Sequence, residues 1–241
     1  MKYKFGRVVV IALGGSIIYH PVKSKSKHLT HSELDLRFLE SFNKFLRKFL
    51  KKGTKFIVVV GGGRPARILQ EAAALLSKVS DIDKDWIGIH ATRLNAQLLG
   101  SIFRDVCDPV IFDCRHKTNK LKYPITVASG WRPGWSTDYV ATALAYDFKA
   151  EEVIVAGKPA FVYRENPSHN PKTKPYDKIT WREYRTLVPK KWQPGFHAPV
   201  DPVAARLAAK EKVKAVVING KDLKNFENLL KGKEFKGTVI I

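Results

Sequence analysis

Cysteine is nearly absent from this 241-residue chain, with Cys107 and Cys114 as its only two. A single pair seven residues apart fits neither a disulfide scaffold nor a zinc site, which leaves reduced thiols. Long apolar runs are missing as well. None approaches the roughly 20 residues of a membrane span, and the opening MKYKFGRVVVIALGG lacks the apolar core and cleavage site of a secretory signal. The expectation is therefore a cytoplasmic protein that does not engage a membrane. No internal repeat and no low-complexity linker interrupts the chain. Acidic residues are scarce, with 22 Asp and Glu against 43 Lys and Arg and a formal net charge of +21. Such a molecule projects a field that attracts anions. The lysines are spread along the chain, at 23–27, 44–52 and 117–122, without an RRM, KH or zinc-finger signature. They read as solvated surface, and nucleic acid is not the expected partner.

What is present is a hydrophobic content of 44 %, enough for one sizeable α/β core. Val8 to Leu13 is a continuous apolar run, the mark of a strand buried on both faces. From Ser32 to Lys52, Leu34, Phe38, Phe42, Phe45 and Phe49 recur at helical spacing and predict an amphipathic helix. A strand follows at Phe56–Val60, then a helix whose first turn holds Pro65 and which runs through Leu76. Further along, the pattern predicts a helix near Ile89–Phe103, strands at Val110–Phe112 and Ile125–Ala128, a helix at Asp138–Phe148 and a strand at Val153–Ala156. Residues 164–200 carry Pro, Lys and aromatics with little periodicity and read as a long surface excursion with hairpins. Asp201 and Pro202 open a helix through Lys210, Val213–Ile218 is a strand, Asp222 caps a helix ending at Gly232, and Thr238–Ile241 closes the chain. Strands alternating with helices predict a three-layer α/β/α sandwich with a mostly parallel central sheet. It reads as one unit over 1–241, with lobes at 1–150 and 151–241.

Three strand ends run into glycine: LGGS at 13–16, GGGRPAR at 61–67 and SGWRPGWSTD at 129–138. A helix that starts after a buried parallel strand exposes unpaired N–H groups and a partial positive charge, which suits a phosphate, and glycine lets the backbone come close. Parallel strands point their ends the same way, so all three loops can line one crevice. Gly61 to Ala66 formally matches a dinucleotide fingerprint, but the acid near position 81 or 83 follows SKVSDIDKD, which has no apolar run to make the required strand. No G-x-x-x-x-G-K-[ST] occurs, which disfavours a P-loop NTPase. Facing phosphate cradles suggest phosphoryl transfer between two phosphorylated molecules, such as a nucleoside monophosphate and ATP with Mg2+.

The segments IALGGS (11–16), VVVGGGRPAR (58–67), DWIGIHATRLNAQLL (85–99), GWRPGWSTDYVATALA (130–145) and VDPVAARLA (200–208) together resemble the amino acid kinase superfamily, and within it the archaeal type of UMP kinase. The resemblance implies ATP + UMP going to ADP + UDP with Mg2+, a step of pyrimidine biosynthesis, in a homohexamer. It implies an acceptor lobe at 1–150 and a donor lobe at 151–241. Gly61, Gly62, Gly63 and Arg67 then hold the UMP phosphate. Asp85 holds the sugar, and Arg93, Gly130, Ser136 and Thr137 complete the acceptor site. Gly14, Gly15, Ser16 and Asp138 become the catalytic group, and Lys158, Tyr163 and Asn166 bind ATP. Taken alone, Asp85 and Asp138 also read as helix caps, Arg93 as half of an ion pair and Lys158 as a surface residue. Where many relatives carry a lysine this chain has Ala12, the donor motif keeps only Val162, Tyr163 and Pro167, and Ala160 and Phe161 replace its aspartate and glycine. Trp131 stands where relatives use a threonine for uracil, and Trp131 or Trp135 either stacks on a base or packs. Two alternatives stay open: another small phosphate or carboxylate as acceptor, and a non-catalytic protein that keeps the acceptor cradle.

Overall fold

VVVIAL at Val8–Leu13 forms β1, and its side chains alternate between two layers: Val9, Ile11 and Leu13 enter one hydrophobic cluster, Val10 and Ala12 the other. This is why the run is apolar at every position. The computed structural model describes residues 3–20, 33–165, 167, 169–191 and 198–241. β1 pairs in parallel with β2 (Lys55–Val60) in the register Val8 to Lys55 through Leu13 to Val60, and on its other side with β4 (Glu152–Gly157). β3 (Ile125–Ala128) extends the sheet beyond β2, and β8 (Lys214–Asn219) beyond β4. β9 (Thr238–Ile240) runs antiparallel to β8, and β7 (Lys178–Ile179) lies parallel to β9 at the edge. The strand order is β3-β2-β1-β4-β8-β9-β7. The mostly parallel sheet expected from the sequence is therefore present.

One face is covered by α1 (Leu36–Leu50), α3 (Asp81–Ile102) and α7 (Leu223–Leu230), the other by α4 (Thr137–Asp147), α5 (Trp181–Leu187) and α6 (Pro202–Glu211). α1 buries Phe38, Phe42, Phe45 and Phe49 along one stripe, with the Phe38 and Phe42 rings stacked at 5.6 Å. Its start is set by Asp35, whose carboxylate accepts from the Phe38 N–H at 3.0 Å; the residues before Glu33 at which the sequence places the helix start lie outside the described residues. α2 (Gly63–Leu76) packs on α3 rather than on the sheet.

Two expectations need correction. The α3 helix begins at Asp81, not near Ile89, because Ser80 and Asp83 form a reciprocal capping box. Ile82 and Trp86 in its first two turns are exposed, so the apolar period is invisible there. Val110–Phe112 is not a strand. Only Phe112 is buried and bridged, to Ala128, while Val110 is 47 % exposed. The excursion at 164–200 contains β6 (Pro175–Tyr176), which pairs antiparallel with β5 (Val162–Tyr163) just before it, then α5 with its own capping box from Thr180 and Glu183. Among the described residues no helix is long and apolar enough to cross a membrane.

Candidate functional site

The C-terminal ends of β1, β2 and β4 open on one cleft of about 950 Å³, and all three glycine loops line it. The first two loops touch backbone to backbone. A Cβ added to Gly15 would stand 2.2 Å from the Gly63 nitrogen and 2.5 Å from the Gly61 oxygen, so no side chain fits. Gly63, at φ +66°, turns the chain directly into α2 in a conformation that favours glycine. The α2 start, which has no side-chain cap, therefore borders the cleft at Gly62 and Gly63.

α3 holds these loops in place. Asn95, 2 % exposed, donates from Nδ2 to the carbonyl oxygens of Gly61 (2.8 Å) and Gly62 (3.1 Å), and its Oδ1 accepts from the Tyr19 hydroxyl (2.8 Å). One turn earlier the Thr92 hydroxyl donates to the Ile89 carbonyl and accepts from the Gly130 N–H at 2.8 Å. The Gly61 and Gly62 carbonyls are thus tied to Asn95 and the Gly61 N–H to the Leu13 carbonyl, which fixes the course of the loop beside the cleft. The signal for this pair in the sequence is a Thr and an Asn on the apolar side of a helix, residues that burial tolerates only with partners.

The two arginines after the glycines separate. Arg64 pairs with Glu33, both largely buried. Arg67 lines the cleft and, among the described residues, has no carboxylate within 4 Å. Burial pulls its pKa down, Glu71 opposes this, and Arg64 adds to it. A cation stripped of part of its water without a counterion is stabilised by an incoming anion.

Asp85 accepts from the Gly134 N–H at 2.7 Å, which ties α3 to the third loop while its carboxylate still lines the cleft. Ser136 caps α4 by accepting from the Tyr139 N–H at 3.0 Å, and its hydroxyl also donates to Asp201 Oδ2. Asp201 in turn caps α6 through the Val203 and Ala204 N–H groups. Asp138 and Asp201 both line the cleft, and the pKa of each is raised chiefly by burial; for Asp138 the neighbouring Asp201 charge raises it further. Trp131 packs in the core, its indole N–H donating to the Phe112 carbonyl, whereas Trp135 faces the cleft under the Arg132 guanidinium at 3.9 Å. Of the two tryptophans, only Trp135 is placed to meet a ligand.

Gly14, Gly15, Ser16, Gly61, Gly62, Gly63, Arg67, Asp85, Gly130, Ser136, Thr137, Asp138, Lys158 and Tyr163 thus come together around one cleft. Arg93 is not among the residues that line it; it forms no ion pair within 4 Å among the described residues, and its charge acts on the Lys117-paired Asp113. Asn166 lies outside the described residues. The sequence reading passed over Asn95, Thr92 and Arg132 and saw Asp201 as a helix cap alone.

A parallel sheet whose strand ends carry glycine loops around a cleft with an unpaired cation defines the class: a protein built to hold phosphorylated ligands. The sequence profile described as Amino acid kinase family matches residues 7–219, and the chain belongs to that family. It is 32 % identical to the uridylate kinase of Thermococcus sibiricus over 235 residues, 96 % of this chain and 98 % of that protein. It is 33 % identical to the uridylate kinase of Methanosarcina barkeri over 236 residues, 97 % and 95 % of the two chains. The crystal structure of uridylate kinase from Archaeoglobus fulgidus superposes with a TM-score of 0.78 at 30 % identity and covers 100 % of both chains. UMP kinase from Bacillus anthracis shares the fold at 18 % identity, with a TM-score of 0.74 over 99 % of this chain and 96 % of its own.

Proposed function

We propose that this protein is a UMP kinase that transfers the γ-phosphoryl group of ATP to UMP, with 1–150 as acceptor lobe and 151–241 as donor lobe. The observation that carries the reading is Arg67, a half-buried cation in the first turns of α2 that lines the cleft and, among the described residues, has no carboxylate within 4 Å. The acceptor phosphate sits on the Gly62 and Gly63 amides and on Arg67, with Asp85 and the Gly134 loop toward the sugar. An oxygen of that phosphate attacks the γ-phosphorus while the bond to the β–γ bridging oxygen breaks, and ADP leaves with the electron pair. Catalysis of such a step is mostly positioning and charge neutralisation. The Gly14–Ser16 loop lies under the moving group, and Lys158 neutralises the donor phosphates.

Magnesium fits the residues present. Asp138 and Asp201 are two largely buried carboxylates that line the cleft, and the charge of Asp201 acts on Asp138, so their oxygens would suit a hard cation there. Among the described residues no group of three His, Cys, Asp or Glu could hold a metal, so the remaining ligands are phosphate oxygens and water. When bound, the ion neutralises charge on the transferring phosphates.

Coupled-assay phosphorylation of UMP, CMP and AMP tests the proposal, and silence with all three removes it. Arg67→Ala is expected to raise KM for UMP by roughly 10- to 100-fold, the loss of about 1.5–3 kcal/mol for a charged hydrogen bond. A second reading is favoured by Ala12 and Phe161, which line the donor half of the cleft where relatives carry a lysine and a glycine: a protein that binds UMP without turnover. Calorimetry showing UMP binding with no Mg-ATP binding selects it. We assign the protein to the cytoplasm and to a homo-oligomer, the latter supported by an exposed apolar stripe on α2 and α3.

A further inference from the structure

A second groove, of about 1010 Å³, lies between α5 and α6 at the N-terminal end of β8, the end opposite the cleft. Its polar lining is basic: Arg182, Arg185, Lys190, Arg206, Lys212 and Lys214 border it, and among the described residues no Asp or Glu does. Among the described residues only Lys214 has a carboxylate within 4 Å, that of Glu151 at 3.2 Å. Repulsion among such charges is tolerable in water but is relieved by a multivalent anion. The floor is apolar, formed by Trp181, Val188 and Ala209. It is also held firmly, since the Trp181 indole donates to the Val213 carbonyl at 2.9 Å and Arg206 donates to the Lys190 carbonyl at 2.8 Å.

Arginine forks match phosphate oxygens two at a time, and an apolar floor suits a flat base. The volume is that of a single small-molecule site rather than a track for a strand. We propose that this groove binds a second nucleoside triphosphate, with its polyphosphate on Arg182, Arg185 and Arg206 and its base over the apolar floor. The two sites share a wall. Val188 lines both, Tyr184 and Leu187 of α5 face the cleft, and α6 begins at the cleft residue Asp201.

Titration calorimetry with a non-hydrolysable nucleoside triphosphate tests this, comparing the wild-type chain with R182Q/R185Q. Both arginines are exposed, so the variant is expected to melt with the wild type. The wild type is expected to take up two equivalents, the groove equivalent weakening with added salt. In R182Q/R185Q that equivalent is expected to bind at least about tenfold more weakly while the cleft equivalent and UMP binding persist. A groove equivalent that survives the substitutions, or its absence from the wild type, overturns the proposal. Inorganic triphosphate binding as tightly as the nucleotide, or a short RNA binding more tightly and lost in the variant, overturns the nucleotide assignment. If the wild type shows only one equivalent and R182Q/R185Q abolishes it, the groove stands and the kinase reading of the cleft falls.

Discussion

Glu152 opens β4 with 2 % of its surface exposed, and burial raises its pKa to about 7; the hydrogen bond from the Tyr3 hydroxyl (3.0 Å) and the charge of Lys214 oppose the shift, and Glu151 adds to it. Between the ordinary glutamate value of 4.5 and about 7 the folded chain holds this proton and the unfolded chain releases it. Stability contributed by the neutral group is therefore complete below that window and is lost as pH rises through it. Thermal unfolding near pH 5 and near pH 8 is expected to show a lower midpoint at the higher pH; Glu152→Gln should remove its share of that difference, the rest belonging to Asp138 and Asp201, whose pKa values are raised as well. A wild-type midpoint that does not fall would contradict the assignment. Gly15 makes the other residue-scale case. Gly15→Ala places a methyl group 2.2 Å from the Gly63 nitrogen, so a loss of about 3 kcal/mol or more is expected together with loss of UMP phosphorylation. Denaturant titration reads the first and the coupled assay the second. Glycine at these positions was visible in the sequence, but the partner it makes room for was not, because Gly63 lies 48 residues further on.

At the scale of elements, α3 is the part that turns glycine loops into a shaped site. Thr92 and Asn95 lie on one face and each fixes a different loop. Asn95→Ala leaves the Gly61 and Gly62 carbonyls and the Tyr19 hydroxyl without their partner. A stability loss of about 1–3 kcal/mol is expected, with KM for UMP rising more than kcat falls. Tyr19→Phe, which removes one bond of the three, should be milder in both. Equal kinetics for Asn95→Ala and wild type would show that the loop holds its shape without this support. The segment DWIGIHATRLNAQLL, which contains these residues, is one of those that carry the family resemblance, and the resemblance implies Asp85 and Arg93 as its site residues, not Thr92 and Asn95. Arg93 attracted the eye as a cation. Burial instead selected Thr92 and Asn95, whose hydrogen bonds only the packing of α3 under the loops defines.

Among the described residues, α2 and α3 carry exposed apolar side chains. Ile82, Trp86 and Leu94 recur along α3 with His90 between them, and Leu69 and Leu76 lie seven apart on α2; all five apolar residues are at least 40 % exposed, Leu76 reaching 87 %. A patch of this kind marks a surface that meets another protein, and here the occupant proposed is a second copy of the chain. Sedimentation of the wild type should give a multiple of the 27.2 kDa chain mass, and the paired substitution Leu76→Glu and Trp86→Glu should reduce it. A wild-type monomer would refute the oligomer. The hexamer implied by the resemblance is the specific multiple to look for.

Local chemistry settles much of this protein. The unbroken apolar strands and the helical spacing of the α1 phenylalanines specify a parallel sheet between helix layers, since only burial on both faces accommodates such runs. Strand ends followed by glycine mark where anions approach, and Asp201 and Asp222 mark helix starts, because each acts on backbone groups within a few residues. What tertiary structure alone decided depends on distance between segments far apart in the chain. It turned Arg64 to Glu33 and placed Arg67 in the cleft, buried Trp131 and set Trp135 in the cleft wall, and set Asp138 against Asp201. Burial and charge pairing arise from the packed arrangement, and no stretch of sequence carries them by itself.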